Sequence, residues 1–587
     1  MSAITQLNTR VGAAFEAVGF HQSHGTVVVS GRPDLGHFQC NGALPAAKKA
    51  GANPRELAEQ VVMRLRADDL FEDVSAAGPG FINLTLTDPA LAEFMDAMSS
   101  DARLGSARTE EPLNVIVDYA GPNVAKSMHV GHLRATIIGE SLKRLFRYQG
   151  HHVLGDAHFG DWGLQMGMLI VATREHNPQL PYFDHDFTGP YPQESPVTLA
   201  DLQAWYPEID KRAQADETLR AKARAATTDL QSGRPGYVAL WEHFVRVSRE
   251  SQERDFADLG IDFDLWYGES TVKDRFAPMV AAAIEDGVAE ESDGAIVIDV
   301  SESTDKKEMT PLIIVTSHDA YIYSTFDLAT VQLRVEDLKS DLILYVVDTR
   351  QAYHFEQVFR AARKTGIAGD TTMEHIKFGT MNGTDGKPFK TREGGVLRLR
   401  DLIELVTEAA RSRLDESEIA SRYGEPERSE IARRVGVAAL KFGDLINNRA
   451  SNYVFDLERF TSFEGKTGPY LQMAAVRMKS ILRKADGLTL NRGTVVAPSI
   501  SQERQLMLRL LQLPEVLERA VELRAPSQMA EYAFEVASDF SSFYEACHIL
   551  SDTDTARQAS WLTLVDTTLR TVEALLDLLG IEIPERM

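Results

Sequence analysis

Cysteine is scarce in this chain of 587 residues, with Cys40 and Cys547 as the only two, one near each end. Neither belongs to a Cys-x-x-Cys spacing, which excludes a disulfide framework and a zinc ribbon. So few thiols are typical of a protein that works in a reducing compartment.

Long apolar runs are also missing. A membrane-spanning helix needs about 18 consecutive apolar residues or more, whereas residues 342–347 form only the short run that a buried strand requires. The first residues, MSAITQL, lack the basic stretch and apolar segment of a secretory signal. We therefore expect a cytoplasmic protein with no membrane partner.

Positive charge is in short supply. The chain has 62 Lys and Arg against 86 Asp and Glu, which gives a formal net charge of −24. Taken alone, this argues against a nucleic-acid partner, because phosphates are bound by Lys and Arg. Net charge governs solubility and steering, however, and not local sites. A nucleic-acid-binding protein of this composition would need clustered basic residues, and its binding should weaken strongly with salt.

The chain shows no internal repeat and no low-complexity tract, and its length predicts three to four domains. Residues 1–108 are typical of an α+β domain, with strands at 26–29 and 80–86. Helical periodicity over 53–66, with Asn53 as N-cap, predicts a helix there. A polar linker at residues 99–112 then separates this domain from the next.

A parallel α/β unit follows the linker. Asn114–Asp118 is a short apolar strand, and a loop then leads to Gly131, where the apolar spacing becomes helical. Residues 151–155 form the next strand. A strand, a helix that opens on a glycine and a second strand are typical of a doubly wound, Rossmann-type sheet.

The remainder is mixed first and then helical. Residues 170–310 are interpreted as an insertion, strands are predicted at 313–315 and 342–347, and helices are predicted from about residue 400 to Leu579 with a break near 488–498. The fold class is therefore multidomain α/β, with a Rossmann-type domain between an N-terminal α+β domain and a C-terminal all-α bundle. The predicted domains are 1–108, 112–400 (with its insertion), the connecting helices 401–445 and the helical bundle 446–587.

The strongest local feature is His129-Val130-Gly131-His132, where a strand-end loop becomes a helix. A helix N-terminus offers unpaired N–H groups and the positive end of a dipole, which suit a phosphate. Two imidazoles three residues apart can add hydrogen bonds to a pentavalent phosphorus. The spacing alone leaves open a pair of solvated loop histidines or a metal site.

The sequence around these histidines carries a resemblance. Residues 118–132 read DYAGPNVAKSMHVGH, and Gly160-Asp161-Trp162-Gly163 comes after the next strand. This closely resembles the first signature of class I aminoacyl-tRNA synthetases, in the form found in arginyl-tRNA synthetases. There Pro-Asn-x-Ala-Lys precedes His-x-Gly-His.

The second class I signature is a lysine-bearing loop that holds the ATP phosphates. The candidate is residues 383–395, GTDGKPFKTREGG, which contain Lys387 and Lys390 among glycines. The usual Lys-Met-Ser-Lys-Ser string is absent, but the Gly-Lys-Pro-Phe-Lys-Thr-Arg form resembles that of many arginyl enzymes. In those enzymes a lysine just ahead of His-x-Gly-His stands in for the missing one, and Lys126 occupies that place. Which lysine touches which phosphate stays open.

The resemblance implies that ATP, carrying Mg²⁺ on its phosphates, is a substrate, and it implies no metal site in the protein itself. The implied catalytic residues are His129, His132, Lys126, Lys387 and Lys390. The implied ATP-binding residues are Pro122, Asn123, Val124, Ala125, Lys126, Ser127, Met128, His129, Val130, Gly131 and His132.

A third group of residues concerns specificity. A guanidinium is planar and cationic, so its natural partners are rigidly held carboxylates. Tyr323 and Asp327 are four residues apart and share a face if their segment is helical. The resemblance implies that these two and Gln351 surround the side chain of arginine, and that Asp118 and Asn123 surround the rest of the amino acid.

Two basic stretches favour tRNA as a partner. Residues 463–485 combine basic charge with an aromatic ring taken to be exposed, which suits phosphate contact and base stacking. They also resemble a helix of the anticodon-binding domain of arginyl enzymes; the candidates are Tyr470, Arg477 and Lys484. Residues 37–62 resemble the N-terminal domain that contacts the tRNA elbow, with Gln39, Asn41 and the pair Lys48 and Lys49 as candidates. A solvated basic face remains the alternative for both.

The resemblance implies two steps: arginine and ATP give arginyl-adenylate and pyrophosphate, and the terminal adenosine of tRNA(Arg) then takes the arginine. It also implies a monomer, and activation that requires tRNA. Three alternatives stay open. The first is a class I synthetase for another amino acid; cysteinyl enzymes share a helical C-terminal bundle, but they need a zinc site, which two distant cysteines do not favour. A non-catalytic tRNA-binding relative should lack the signature residues. A nucleotidyltransferase that acts on a small molecule would have no evident function for the N-terminal and C-terminal domains.

Overall fold

The computed structural model describes residues 2–383, 386, 397–416 and 423–587. They form two compact units. The first consists of residues 1–109, 413–442 and 461–587, and the second consists of residues 110–412 and 443–460. The predicted lysine loop, with Lys387 and Lys390, lies outside the described residues.

The N-terminal part of the first unit is a four-stranded antiparallel sheet in the order β1-β2-β4-β3, with helices packed against it. The predicted helix and its Asn53 cap are confirmed, because the Asn53 side chain accepts the N–H of Arg55. The two predicted strands are present, but β2 and β3 were not predicted, since neither has clear alternation. The elements are α1 (Ala3–Ala17), β1 (Val27–Val29), β2 (Phe38–Cys40), α2 (Ala43–Ala50), α3 (Pro54–Leu65), β3 (Phe71–Ala77), β4 (Phe81–Leu86) and α4 (Asp88–Ser100).

The second unit is built on a parallel sheet in the order β11-β10-β5-β6. From β5 the chain moves to β6 on one side and later returns to β10 on the other, so the strand order reverses between β5 and β10. At that edge Asp118 pairs with Asp156 on β6 and with Tyr345 on β10. The first elements are β5 (Asn114–Asp118), α5 (Val130–Tyr148), β6 (His152–Asp156) and α6 (Leu164–His176).

The predicted insertion is mainly helical and shares one apolar core with the parallel sheet: Tyr182 and Leu240 belong to the same buried cluster as Ile343 of the sheet. A three-stranded antiparallel sheet, in the order β7-β8-β9, closes the insertion. The strand predicted at 313–315 is therefore present, but it lies outside the parallel sheet. The elements are α7 (Leu199–Ala215), α8 (Glu217–Gln231), α9 (Pro235–Asp258), α10 (Phe276–Glu285), β7 (Ala289–Ser292), β8 (Ala295–Ile298) and β9 (Leu312–Val315).

The second half of the sheet carries two further helices, and the chain then becomes helical as predicted. The break near 488–498 is confirmed between α16 and α17; the short parallel pair of β12 with β13 was not predicted. The elements are α11 (Tyr323–Glu336), β10 (Leu342–Tyr345), α12 (Ala352–Lys364), β11 (Thr372–His375), β12 (Met381–Asn382), α13 (Leu399–Asp415), α14 (Glu425–Leu445), β13 (Tyr453–Val454), α15 (Leu457–Phe460), α16 (Gly468–Gly487), α17 (Ser501–Leu510), α18 (Leu513–Glu522), α19 (Pro526–Ala546) and α20 (Thr555–Leu578).

Membrane-spanning character is not found among the helices of the described ranges, none of which combines the necessary length and apolarity. Both cysteines are buried thiols. The N-terminal region and the C-terminal helices pack within one unit: the guanidinium of Arg504 contacts the carboxylate of Asp88, and Arg570 donates to the carbonyl oxygens of Ser99 and Asp101. The predicted domain boundaries stay a prediction.

Helix α5 lies very close to the chain that leaves β5. The ring of Tyr119 is buried, and its hydroxyl donates to Glu140 Oε2 at 2.7 Å. A Cβ at Gly139, in the middle of α5, would lie 2.2 Å from Cγ of Tyr119. Only glycine therefore fits at this position, and the contact fixes the helix against the strand-end loop.

We expect Gly139→Ala to destabilise the protein by about 1–3 kcal/mol, because the added methyl group overpacks a buried contact. The midpoint of thermal unfolding should fall. Gly487→Ala is the matched control, since open space surrounds a Cβ at the C-terminal end of α16. There alanine should be neutral or slightly stabilising. An unchanged midpoint for Gly139→Ala would show that Tyr119 can move away.

Candidate functional site

A crevice is expected where the strand order of a parallel sheet reverses, at the carboxyl ends of the strands. In this sheet that point lies between β5 and β10. The loop after β5, residues 119–129, carries the first signature, and the connection after β10 leads to Gln351 at the start of α12. The two predicted groups of site residues therefore flank one crevice.

The histidines of the first signature cap helix α5 reciprocally. His129 Nδ1 accepts the N–H of Gly131 at 3.0 Å, and His132 Nδ1 accepts the N–H of His129 at 3.1 Å. The ring centroids are 4.0 Å apart. Since Nδ1 is an acceptor in both rings, each neutral ring carries its proton on Nε2. The pair thus provides two Nε2–H donors at the positive end of the helix dipole.

Both imidazoles are neutral at physiological pH. Burial lowers the pKa of His132 to about 3, and burial together with the ammonium of Lys126 lowers the pKa of His129. Protonation at Nδ1 would also break the capping hydrogen bonds. The pair can therefore donate hydrogen bonds to an anion without itself exchanging protons near pH 7.

The loop before α5 is held by the Gly-Asp-Trp-Gly segment. Val124 donates its N–H to the carbonyl of Gly160 at 3.0 Å, and Gly160 donates its own to the carbonyl of Pro122 at 2.9 Å. A Cβ at Gly160 would lie 2.2 Å from Asn123 Oδ1, so a larger residue there would displace the Asn123 side chain. The predicted residues Pro122, Asn123 and Val124 are thus fixed by the turn after β6.

The chain that follows the predicted lysine loop pairs with the first signature. Val130 donates its N–H to the carbonyl of Leu397 at 3.1 Å, and Leu399 donates to the carbonyl of Met128 at 2.9 Å. The described residues just after the second signature therefore lie directly beside His129, although the two signatures are far apart in sequence.

A buried charge cluster occupies the strand ends. The fully buried Arg334 of α11 donates from Nη2 to Asp118 Oδ2 and to Asp156 Oδ2, each at 2.7 Å. Burial acts to lower the pKa of His158, but the carboxylates of Asp156 and Asp118 outweigh it and raise the pKa to about 9. Ligand atoms of Asp118, Asp156 and His158 lie within 4.8 Å of one another. Here a guanidinium and an imidazolium balance the carboxylates, and Asp118 is already bound.

The predicted specificity residues meet where α11 packs against α12. Asp327 Oδ2 lies 2.5 Å from Nε2 of His354, a residue that the sequence did not single out. The ring of Tyr323 stands edge-on to the same imidazole, with centroids 4.8 Å apart. Gln351 is exposed and comes just before α12. The segment is helical, as the spacing required, and both Tyr323 and Asp327 contact His354 from the same face of α11.

Glu269 is a second residue that the sequence did not single out. Its Oε2 accepts the N–H of Trp162 at 3.3 Å. Burial raises its pKa to about 7, and the negative charges of Asp161 and Asp327 add to that effect. This carboxyl belongs to the insertion, in which no motif was identified, and only its packing beside Gly-Asp-Trp-Gly reveals it.

Comparisons with known proteins agree on one family. The profile for "tRNA synthetases class I (R), catalytic domain" matches residues 93–457. Profiles for the "DALR anticodon binding domain" and the "Arginyl tRNA synthetase N terminal domain" match residues 471–587 and 5–86. The arginine–tRNA ligase of Alkaliphilus oremlandii is 46% identical over 100% of this chain and 99% of its own. The chain belongs to the arginine–tRNA ligase family.

Other members of the arginine–tRNA ligase family support the same assignment. The ligase of Hyphomonas neptunium is 47% identical over 100% of both chains. The arginyl-tRNA synthetase structures from Plasmodium falciparum (TM-score 0.80, 24% identity, 100% and 98% coverage) and Thermus thermophilus (TM-score 0.79, 22% identity, 100% of both chains) share the fold. The predicted multidomain α/β class, with a parallel-sheet domain and a helical C-terminal domain, is confirmed.

The residues that resemble the tRNA contacts of the arginine–tRNA ligase family lie in the first unit. Arg477 and Lys484 are exposed on α16. Tyr470 is instead partly buried, because its ring packs 5.6 Å from that of Phe534 and its hydroxyl lies 3.3 Å from Ser541 Oγ. The expectation of an exposed aromatic there is therefore wrong for this conformation.

The N-terminal candidates of this family member lie on and beside its antiparallel sheet. The side chain of Gln39 on β2 donates to Asn83 Oδ1 at 3.0 Å, and Asn41 is exposed just after that strand. Lys48 and Lys49 are exposed in the last turn of α2. These side chains are available to a partner, apart from the amide of Gln39, which is already hydrogen bonded.

We expect Glu269→Gln to stabilise the protein at pH 8 by about 1–2 kcal/mol, after allowance for partial exposure, and to have a much smaller effect at pH 5, near the lower end of the titration window. A pKa raised to about 7 means that the folded state binds more protons than the unfolded state between pH 4.5 and pH 7. The glutamate therefore destabilises the fold as the pH rises through that window. Thermal midpoints at both pH values measure the effect.

The exposed glutamate of β7, Glu291, provides the matched control, and Glu291→Gln should shift neither midpoint. Equal midpoints for Glu269→Gln and the unaltered protein at pH 8 would mean that Glu269 is charged at no cost in the folded state.

Proposed function

We propose that this chain is an arginine–tRNA ligase, which activates L-arginine with ATP and transfers it to the 3′-terminal adenosine of tRNA(Arg) for protein synthesis. The observation that carries the proposal is the pair of neutral imidazoles, His129 and His132, which present Nε2–H donors at a helix N-terminus beside the reversal point of the sheet. Family membership over the whole chain supports it.

In the first step a carboxylate oxygen of arginine attacks the α-phosphorus of ATP, and the bond to pyrophosphate breaks. Negative charge grows on the phosphate oxygens, so preorganised donors there lower the barrier. His129 and His132 supply these donors, and the loop Pro122–Met128 and the first turn of α5, with Gly131, cradle the nucleotide. Mg²⁺ enters with ATP as part of the substrate. Lys126, Lys387 and Lys390 are the proposed cations for the phosphates.

Arginine is proposed to lie with its guanidinium against Asp327, near Tyr323 and Gln351. Two further features support an acidic site there: Glu269 has a pKa of about 7, and the charge of Asp327 contributes to that value. A bound guanidinium would favour the charged form of Glu269. Asp118 and Asn123 are proposed for the rest of the amino acid, with Arg334 holding the carboxylate of Asp118 in place.

In the second step a ribose hydroxyl of the terminal adenosine, the 2′ hydroxyl in class I enzymes, attacks the carbonyl carbon of arginyl-adenylate. An ester forms and AMP leaves. The proposed tRNA contacts are Gln39 and Asn41 in the N-terminal domain, residues 1–108, and Tyr470, Arg477 and Lys484 in the bundle, residues 446–587. The partial burial of Tyr470 means that stacking on its ring would require a local rearrangement.

The proposed setting is the cytoplasm, and the proposed state is a monomer. The catalytic domain is proposed to span residues 112–400, with 401–445 as connecting helices. Sedimentation of the purified chain measures the oligomeric state directly.

We expect the protein to charge total tRNA with arginine, and with no other amino acid, in an assay that offers each labelled amino acid in turn. ATP–pyrophosphate exchange with arginine should stay near background until tRNA(Arg) is added. Charging by a different amino acid would identify a different synthetase. Exchange without any acceptor RNA would favour the nucleotidyltransferase alternative, and tRNA binding without charging would favour the non-catalytic one.

Asp327→Asn should raise the KM for arginine about 10- to 100-fold with a smaller change in kcat, because a charge-assisted hydrogen bond contributes about 1.5–3 kcal/mol. Asparagine keeps the shape and an acceptor for His354, so only the charge is removed. Asp337→Asn, just beyond the other end of α11, is the control: Asp337 pairs with Arg275 on the surface. An equal KM for the two variants would exclude Asp327 from the arginine site.

A further inference from the structure

The sequence assigned no role to the insertion at residues 170–310, yet two of its helices reach the first signature. Helix α9 contacts the backbone of the loop that precedes α5, and helix α7 contacts the side chain of Lys126 from that loop. These contacts bring residues more than 70 positions apart into one local arrangement around the lysine.

Two buried side chains of α9 bind the loop backbone. Ser248 Oγ accepts the N–H of Ala125 at 3.0 Å. Gln252 Nε2 donates to the carbonyl of Asn123 at 2.8 Å and to the carbonyl of Lys126 at 3.4 Å. Ser248 is 0% exposed and Gln252 is 2% exposed, so water does not compete for these hydrogen bonds.

The backbone that these side chains hold is strained. Ala125 has a φ of +61°, a left-handed conformation that L side chains rarely adopt. Such a conformation persists only where its surroundings over-determine it. From the other side of the loop, Gln165 Nε2 donates to the carbonyl of Val124 at 2.5 Å. Four consecutive residues, 123 to 126, are thus fixed through their backbone by three side chains.

The hydrogen bonds that hold the backbone at residues 123–126 also set the direction in which the Lys126 side chain leaves the loop. That side chain is exposed, and its Nζ lies 5.5 Å from the centre of the Tyr206 ring of α7. That distance is within the range of a cation–π contact. An aromatic face attracts the ammonium without neutralising it, unlike a carboxylate, so the charge remains available to an anion. No ion pair of Lys126 is recorded with any described residue.

We infer that the insertion positions the Lys126 ammonium: Ser248 and Gln252 are positioning residues that fix the backbone at Ala125 and Lys126, and Tyr206 orients the side chain. The inference rests on the proposed function, in which Lys126 meets the ATP phosphates. Under it the insertion supports the proposed phosphate site by acting through Lys126.

The alternative is that these contacts only satisfy buried polar atoms and stabilise the fold. The two cases predict different energetic coupling between Ser248 and Lys126. A residue that acts through Lys126 should lose its effect once Lys126 has been removed, whereas a purely structural residue should keep it. A double-mutant cycle in the full-length protein separates the two.

The cycle uses Ser248→Ala, Lys126→Ala and the double variant, measured by arginine-dependent ATP–pyrophosphate exchange in the presence of tRNA(Arg). We expect Ser248→Ala to lower kcat/KM for ATP about tenfold and to leave the KM for arginine within about twofold. In the Lys126→Ala background, Ser248→Ala should lower kcat/KM for ATP by less than about twofold. If the losses of kcat/KM in the two single variants instead multiplied in the double variant, the inference would be wrong.

Ser251→Ala is the matched control, because Ser251 lies on the same helix and no side-chain hydrogen bond of Ser251 is recorded with the described residues. It should leave exchange unchanged. A loss for Ser251→Ala equal to that for Ser248→Ala would assign the effect to the helix as a whole and contradict the inference.

A second pair of variants tests Tyr206 without disturbing the buried hydrogen bonds. Tyr206→Phe keeps the aromatic face and should keep kcat/KM for ATP within about twofold. Tyr206→Leu should lower it several-fold, with a thermal midpoint close to that of Tyr206→Phe. Equal activity of the two variants would remove Tyr206 from the inference, and this test stands even if Ser248→Ala fails to fold.

Failure of the proposed function would look different from failure of the inference. If the unaltered protein showed no arginine-dependent exchange with tRNA(Arg), the proposed function itself would be wrong. If the unaltered protein were active but Ser248→Ala and Tyr206→Leu matched their controls, only the role of the insertion would be wrong.

Discussion

The arrangement of the site depends on one reciprocal interaction, in which each histidine of the first signature accepts a backbone N–H at the start of α5. These two hydrogen bonds end the loop, begin the helix and set the tautomer of both rings at once. Burial keeps the rings neutral. Without the caps, the helix end would lose its N–H partners, and the Nε2 protons would lose their fixed positions.

A second constraint is the buried ion-pair cluster at the base of the crevice. Arg334 reaches from α11 to the ends of β5 and β6, so the helix that carries Asp327 is tied to the strands that carry Asp118 and Asp156. The cost of burying a guanidinium is offset because two carboxylates bind it. The two sides of the crevice, proposed for phosphate and for guanidinium, are therefore fixed relative to each other by one buried cation.

Much of this could be predicted from sequence where the signal is local. Strand β5, helix α5 and the pairing of Tyr323 with Asp327 all follow from spacing, and the first signature follows from a contiguous motif. Glu269, His354 and Arg334 could not be found in this way, because each matters only through a residue that folding brings near it. The partial burial of Tyr470 was not predicted for a related reason, because it depends on packing against a helix some 60 residues further along the chain.

The backbone bridge between residues 128–130 and 397–399 has a consequence for biosynthesis. About 270 residues of chain separate its two sides, and they include the insertion and three of the four strands of the parallel sheet. A nascent chain that has not yet emerged past Leu397 leaves the N–H of Val130 without the carbonyl it meets in the native fold. The proposed nucleotide site is thus completed late in translation, and a truncated product that ends before that point would carry the signature motif without its finished geometry.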